Sequence, residues 1–304
     1  MTVCGPSQGT ITESSATVAS TGVFYGVITG VARPFREPGI AISDPVPAPN
    51  PANVPRFDEN SERIRVDSDA QPATAALDVA AGTIVTNITG PLDFAFRTYT
   101  IDPDAATPPT VGAQPGSVPV PTPTADELTV ASFNMERFFD TVNDPATSDP
   151  VLTATAYNRR VAKASLIVRT VQRYPDVIGV QEMENLTTLQ AVATQINNDA
   201  VTIDALPNPN YTAYLVEGND IGGIDVGFLV KQSRVTQYSV TQLELGTCDH
   251  VTASTCNNYV DPNTGSLDIL NDRPALVLIA SVPRTGGGLL GFTVIVNHLR
   301  SLSG

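Results

Sequence analysis

The sequence predicts a mixed α/β sandwich over residues 125–304, preceded by a small all-β domain over residues 1–102. Three observations carry this prediction. Residues 103–124 hold seven prolines among Ala, Thr, Gly and Val, the composition of an extended, semi-rigid linker. Before that segment, short β-branched and aromatic runs are punctuated by Gly and Pro, as in a small barrel or sandwich. After it, apolar runs alternate with stretches of helical periodicity and end in a hairpin, the pattern of a mixed sheet covered by helices.

Along the chain, residues 22–31 form the first β-rich run. Residues 33–39 are a turn-rich break, residues 40–42 resume pairing, and residues 43–55 are a proline-rich loop. Arg63-Ile64-Arg65-Val66-Asp67 alternates charged and apolar side chains, as a half-buried strand does. Residues 83–88 and 94–101 follow the same rule. No catalytic constellation is visible in this part.

Beyond the linker, residues 128–134 read as a strand. Residues 157–174 read as a helix with Val161, Ala164, Ile167, Val168 and Val171 on one face, ended by Pro175. Val177, Ile178 and Val180 then form a short apolar run, a strand buried on both faces, which stops at Glu182 with Gln181 and Glu184 beside it. A carboxylate at the end of such a strand either reaches a site or opens the next loop in solvent. Residues 185–198 are a second helix, with Asn185 as its cap and Leu186, Leu189, Val192 and Ile196 in register. Residues 211–217 and 224–231 are strands around the turn 218–223. Residues 275–282 and 289–297 form a hairpin across the Gly-rich turn 284–288.

Composition restricts the function classes. The 304 residues carry 17 basic and 31 acidic side chains, a net charge of -14. Such a chain does not attract nucleic acid by its overall field, so a polyanion site has to be local, and a bound divalent cation would help to create it. Lys163 and Lys231 are the only lysines; the remaining basic residues are Arg, which suits bidentate phosphate contacts. No apolar run is long enough to span a bilayer. The first twenty residues lack a basic start followed by an apolar stretch, so no signal peptide is visible. Cys248 and Cys256 flank a polar loop. They are a disulfide, two free thiols, or metal ligands together with His250; the disulfide is favoured, and with it an exported protein, extracellular or periplasmic.

Several strand ends carry polar residues: Asn134, Glu182, Asp225, Arg273 and the pair Asn297-His298. Ser132-Phe133-Asn134, Val180-Gln181-Glu182, Ile224-Asp225-Val226-Gly227-Phe228-Leu229, Asn271-Asp272-Arg273-Pro274 and Asn297-His298-Leu299 follow one another at intervals that resemble the endonuclease/exonuclease/phosphatase superfamily, the DNase I-like fold. The run is most similar to large secreted bacterial nucleases of that superfamily, in some of which a barrel of oligonucleotide-binding type precedes the nuclease domain; residues 1–102 resemble such a module more loosely. The resemblance implies a four-layer α/β sandwich and metal-assisted attack of water on phosphorus. It implies Mg²⁺, with Ca²⁺ or Mn²⁺ as alternatives, held chiefly by Glu182 with Asn134 beside it. Arg273 would contact a non-bridging phosphate oxygen, His298 would hydrogen-bond the phosphate or protonate the leaving oxygen, and Asp225 would orient a neighbour. The substrate implied is DNA or RNA; no protein partner is predicted. A phosphatase or phospholipase of the same fold, acting on a lipid headgroup or sugar phosphate, is the alternative reading, and a non-catalytic binding module the second alternative.

Each residue also has a plain structural reading. His298 could be a satisfied core histidine, Arg273 a surface partner of Asp272, and Asp225 a turn-proximal acceptor. Arg159, Arg160 and Lys163 read as a solvated helix face. The chain departs from the superfamily pattern at Glu136, where Asn is common. It also lacks the later Gly-Asp-Phe-Asn and Ser-Asp-His type segments. The expectation is a C-terminally truncated enzyme whose second sheet is only begun.

Overall fold

The computed structural model describes residues 1–30, 63–95, 98–145, 147, 149–218, 220, 222–243, 265 and 273–299. The break at 33–39, the strand expected at 40–42, the loop 43–55, and Cys248, His250, Cys256, Asn271 and Asp272 lie outside these residues. The chain divides into two compact units, residues 1–12 with 17–117 and residues 13–16 with 118–304.

The first unit is all-β among the described residues. Its strands are β1 (Thr2–Val3), β2 (Gly9–Thr12), β3 (Thr17–Ser20), β4 (Val23–Val27), β5 (Ile64–Asp67), β6 (Val85–Thr86), β7 (Leu92–Ala95), β8 (Thr98–Ile101) and β9 (Thr110–Val111). The main sheet runs β1-β4-β5-β8-β7, and β2-β3 and β6-β9 are two-stranded pairs. The alternation around Ile64 and Val66 produces β5 as expected, with Val66 fully buried beside Phe24, Val3, Val79 and Val85. Residues 94–101, expected as one strand, instead belong to the hairpin β7–β8, with Phe94 opposite Tyr99. The β-period repeats on both sides of the turn, so alternation alone does not reveal the reversal. The proline-rich segment also makes defined contacts. Thr110–Val111 pair with β6 in the first unit, while in the second Val120 donates to Val171 O and accepts from Arg173 Nε.

The second unit contains β10 (Val130–Phe138), α1 (Ala154–Thr170), β11 (Val177–Met183), α2 (Leu186–Thr202), β12 (Tyr211–Leu215), β13 (Asp225–Lys231), β14 (Thr236–Gln242), β15 (Leu276–Pro283) and β16 (Leu289–Val296). A four-stranded sheet has the order β10-β11-β13-β12, and a three-stranded sheet the order β14-β15-β16. β10 and β11 are parallel, joined by α1 as a crossover, and the remaining pairs are antiparallel. α1 starts at Ala154 because Thr153 caps it by accepting from Ala156 N. It stops before the predicted end, because Arg173 and Tyr174 turn into the left-handed region at φ 58° and 56°. Asn185 caps α2 through Thr188 N, as the sequence suggests.

β11 is the central strand. Ile178 and Val180 pack with α1 and α2 residues such as Val168, Leu189, Val192 and Ile196. Val177 packs on the other face with Val226, Phe228 and Val230 of β13 and with Leu276, Leu278 and Val296 of the second sheet. Both faces being dry explains its unbroken apolar run. Gly227 is needed for this packing: a Cβ there would lie 2.7 Å from Leu189 Cδ2 and 2.8 Å from Tyr214 O. The described residues thus give three layers, helices on sheet on sheet. Ile279 and Ile295, on the far face of the second sheet, are exposed. β14 is an addition to the expected elements.

Candidate active site

The parallel neighbours β10 and β11 end in register, Asn134 opposite Gln181, and both then bulge: the pairing slips between Asn134 and Phe138 and, on the other side of β11, between Val180 and Met183. Glu136, Arg137 and Glu182 lie in the left-handed region at φ 56°, 52° and 61°. For residues other than Gly this conformation costs about 1–3 kcal/mol each, and it persists only where surrounding contacts impose it. Here they do. Glu136 N donates to Asn134 Oδ1 at 2.8 Å, and Arg137 N donates to Glu182 Oε2 at 2.9 Å. Arg160, expected on a solvated helix face, instead donates to Met135 O at 2.8 Å, Glu136 O at 2.5 Å and Arg137 O at 3.2 Å. Its guanidinium lies 4.8 Å from the Phe138 ring centroid. Burial pulls its pKa below the ordinary Arg value, while Glu136 and then Glu13 and Glu182 oppose that shift. Arg159 and Lys163 are exposed, as expected.

The bulges aim Glu182 out of the sheet into a set of four predicted residues. Asn134 Nδ2 donates to Glu182 Oε1 at 2.8 Å, and His298 Nε2 lies 3.3 Å from the same oxygen. Arg273 Nη1 lies 3.2 Å from His298 Nδ1. Asp220, which the sequence did not single out, holds the other side of Arg273, at 3.1 Å from Nε and 3.0 Å from Nη2. Burial, and next Arg273, lower the His298 pKa below 6.5, so at neutral pH the ring is uncharged and acts as a hydrogen-bond donor rather than an acid.

Asp225 lies apart from this set. It is 4% exposed, and Oδ1 accepts from Gly218 N at 2.8 Å. Among the described residues no hydrogen bond joins it to His298 or Arg273; the neighbour it orients is the 217–218 turn. Burial, then the adjacent Glu217, raise its pKa well above the carboxylate range. Glu184 is similar: burial, then Asp140, push it up to about 8. Its Oε2 accepts from Asp140 N at 2.6 Å, and its protonated form is a donor to buried Asp149, whose Oδ2 has no other partner. Asp140, Asp144 and Asp149 read alike in the sequence as an acidic loop, but only Asp149 is buried, while Asp140 is half-buried and Asp144 exposed.

Among the described residues no group of three or more His, Cys, Asp or Glu side chains is arranged to hold a metal. Mg²⁺ does not require one, since it keeps most of its water and takes one or two carboxylates. A carboxylate offers about four acceptor sites. Glu182 uses three, for Asn134, Arg137 N and His298, so it has room for a hydrated hard cation at Oε2.

Residues 129–267 match the Endonuclease/Exonuclease/phosphatase family. The match contains Asn134, Glu182, Asp220 and Asp225; Arg273 and His298 follow it in the chain. No curated protein matches the chain.

Proposed function

Residues 129–267 belong to the endonuclease/exonuclease/phosphatase family, whose members generally hydrolyse phosphate esters, and from that premise we propose that this protein is a divalent-metal-dependent phosphodiesterase that cleaves nucleic acid. The observation that supports the reading best is the contact series Asn134–Glu182–His298–Arg273 at the strand ends. It puts one carboxylate, one neutral imidazole and one guanidinium within reach of a single phosphate. A cation at Glu182 would supply Lewis-acid stabilisation of the phosphoryl oxygens. Asn134 fixes the carboxylate through Nδ2, and the Arg137 amide fixes its second oxygen, so Glu182 is held before any substrate arrives. Arg273 uses three of its five N–H donors on Asp220 and His298 and keeps others for a non-bridging oxygen. His298, neutral, would turn its single Nε2 proton from Glu182 towards a phosphate oxygen once substrate binds. Water adds to phosphorus, the bond to the leaving oxygen breaks, and the proton given up by the attacking water ends on that oxygen. The first unit is read as an accessory module of oligonucleotide-binding type, and the protein as exported.

The test is hydrolysis by the full chain with Mg²⁺ of plasmid DNA, RNA, p-nitrophenyl phosphate and phospholipid vesicles. Cleavage of a polynucleotide is expected. Turnover of the vesicles or the monoester alone would replace the nuclease reading with the phospholipase or phosphatase reading, and turnover of none would refute it. Glu182→Gln puts an amide N–H₂ where one of two acceptors is needed, and should lower turnover by at least about 100-fold at saturating Mg²⁺ while the fold persists. Near-normal turnover would remove Glu182 from the site.

A further inference from the structure

We propose that Asp220 is a positioning residue that locks Arg273 and, through it, fixes His298 with its proton on Nε2 and directed at Glu182. The inference rests on the proposed function for its catalytic meaning, but its geometry stands independently. A guanidinium has donors and no acceptor. Its 3.2 Å contact with His298 Nδ1 is therefore a hydrogen bond only when Nδ1 is bare. The ring proton then sits on Nε2, which faces Glu182 Oε1 at 3.3 Å. One donor and one acceptor, on opposite sides of the ring, select the same tautomer.

Asp220 makes that arrangement rigid. Oδ2 accepts from Gly222 N at 3.0 Å and from Ile224 N at 3.3 Å, which ties the carboxylate to the turn leading into β13. Oδ1 accepts from both Nε and Nη2 of Arg273. Only Nη1 then points to the imidazole. The side chains are largely withdrawn from water, Asp220 at 9% and Arg273 at 17% exposed, so solvent is a poor substitute for the carboxylate. Both Asp220 oxygens act as acceptors, so an isosteric amide fails: either orientation sets an N–H₂ group against a donor. The same second-contact logic orients metal-ligating histidines in other proteins, where removing the outer partner typically costs about 10–100-fold in activity.

The experiment is ¹⁵N NMR of the histidine rings in the full chain at fixed neutral pH, without metal. There are two histidines, and His250→Gln leaves His298 alone. The wild type should show one tautomer, protonated at Nε2, with that proton protected from solvent exchange. Asp220→Asn should keep the circular dichroism of the wild type, mix the tautomers and lose the protected proton. Arg273→Lys, whose compact ammonium lacks the planar fork that spans Asp220 and His298, should do the same and serves if Asp220→Asn does not fold. A wild-type ring protonated at Nδ1, or a folded Asp220→Asn with the wild-type pattern, overturns the proposal. Polynucleotide turnover is measured alongside, with a loss of about 10–100-fold expected in Asp220→Asn. Absence of turnover in the wild type refutes the proposed function but leaves the tautomer result intact, so the two failures are distinguishable.

Discussion

At the scale of single residues, burial decides which carboxylates are chemically unusual. Glu184, just past the end of β11, is pushed up to about 8 by burial and then by Asp140. Its ordinary value is 4.5, so between pH 4.5 and about 8 the folded state keeps a proton that the unfolded chain has lost. The folded state then binds more protons, and stability falls as pH rises through that window. Glu184→Gln mimics the protonated acid; it should flatten part of this slope and stabilise the protein at pH 8 by about 1–2 kcal/mol, with little change at pH 4.5. Urea unfolding at the two pH values without divalent cation checks this, and an equal effect at both would exclude the buried acid as the cause. Asp225 contributes a slope of the same sign, so the variant removes only its own share. Glu182 and His298 stand at the ends of the apolar runs of β11 and β16 and Arg273 just before that of β15, which is why the sequence singles them out. Asp220 was not legible, because an Asp in a Gly-rich turn looks the same whether it meets water or a guanidinium.

At the scale of elements, the paired bulges of β10 and β11 turn two ordinary strand ends into a site. Arg160 on α1 holds three successive carbonyls of the β10 bulge. Arg160→Leu keeps much of the packing on Phe138 but leaves those carbonyls without their charged donor, a loss of about 1–3 kcal/mol. The consequence is local as well: the Arg137 amide, released from Glu182, should exchange with solvent faster than its neighbours on β10. Protection of that amide equal to wild type would show that the bulge holds itself. Gly227→Ala acts on the same sheet from the other side. Its Cβ meets Leu189 and the backbone of β12, so α2 has to shift, at a cost of about 1–3 kcal/mol by thermal unfolding. The two helices and most strands of the second unit were legible from periodicity, but β14 and the β7–β8 reversal were not, and neither were the helix ends, since Thr153 and the left-handed pair Arg173–Tyr174 act through backbone geometry.

At the scale of the whole molecule, the net charge of -14 opposes a polyanionic substrate. Raising monovalent salt from about 10 to about 100 mM shortens the screening length from roughly 30 to roughly 10 Å. Turnover of DNA at low concentration should therefore hold steady or rise, whereas a basic nuclease loses affinity under the same change. A steep fall in kcat/KM would show that a local basic surface, rather than the cation, recruits substrate. Among the described residues no helix is long and apolar enough to cross a membrane.

The apolar run of β11, the two amphipathic helices and the order of polar strand ends follow from the sequence alone, because hydrophobic periodicity and strand termination are local properties. Residues 129–267 also match the endonuclease/exonuclease/phosphatase family by sequence. What only the tertiary structure decided is which polar groups meet. Asp225 turns towards the 217–218 turn, Asp220 captures Arg273, and Arg160 leaves the solvent face to hold a strained bulge. These pairings depend on bulge positions and burial, which bring together groups as far apart in sequence as Glu182 and His298, and no local pattern encodes a contact between residues so separated.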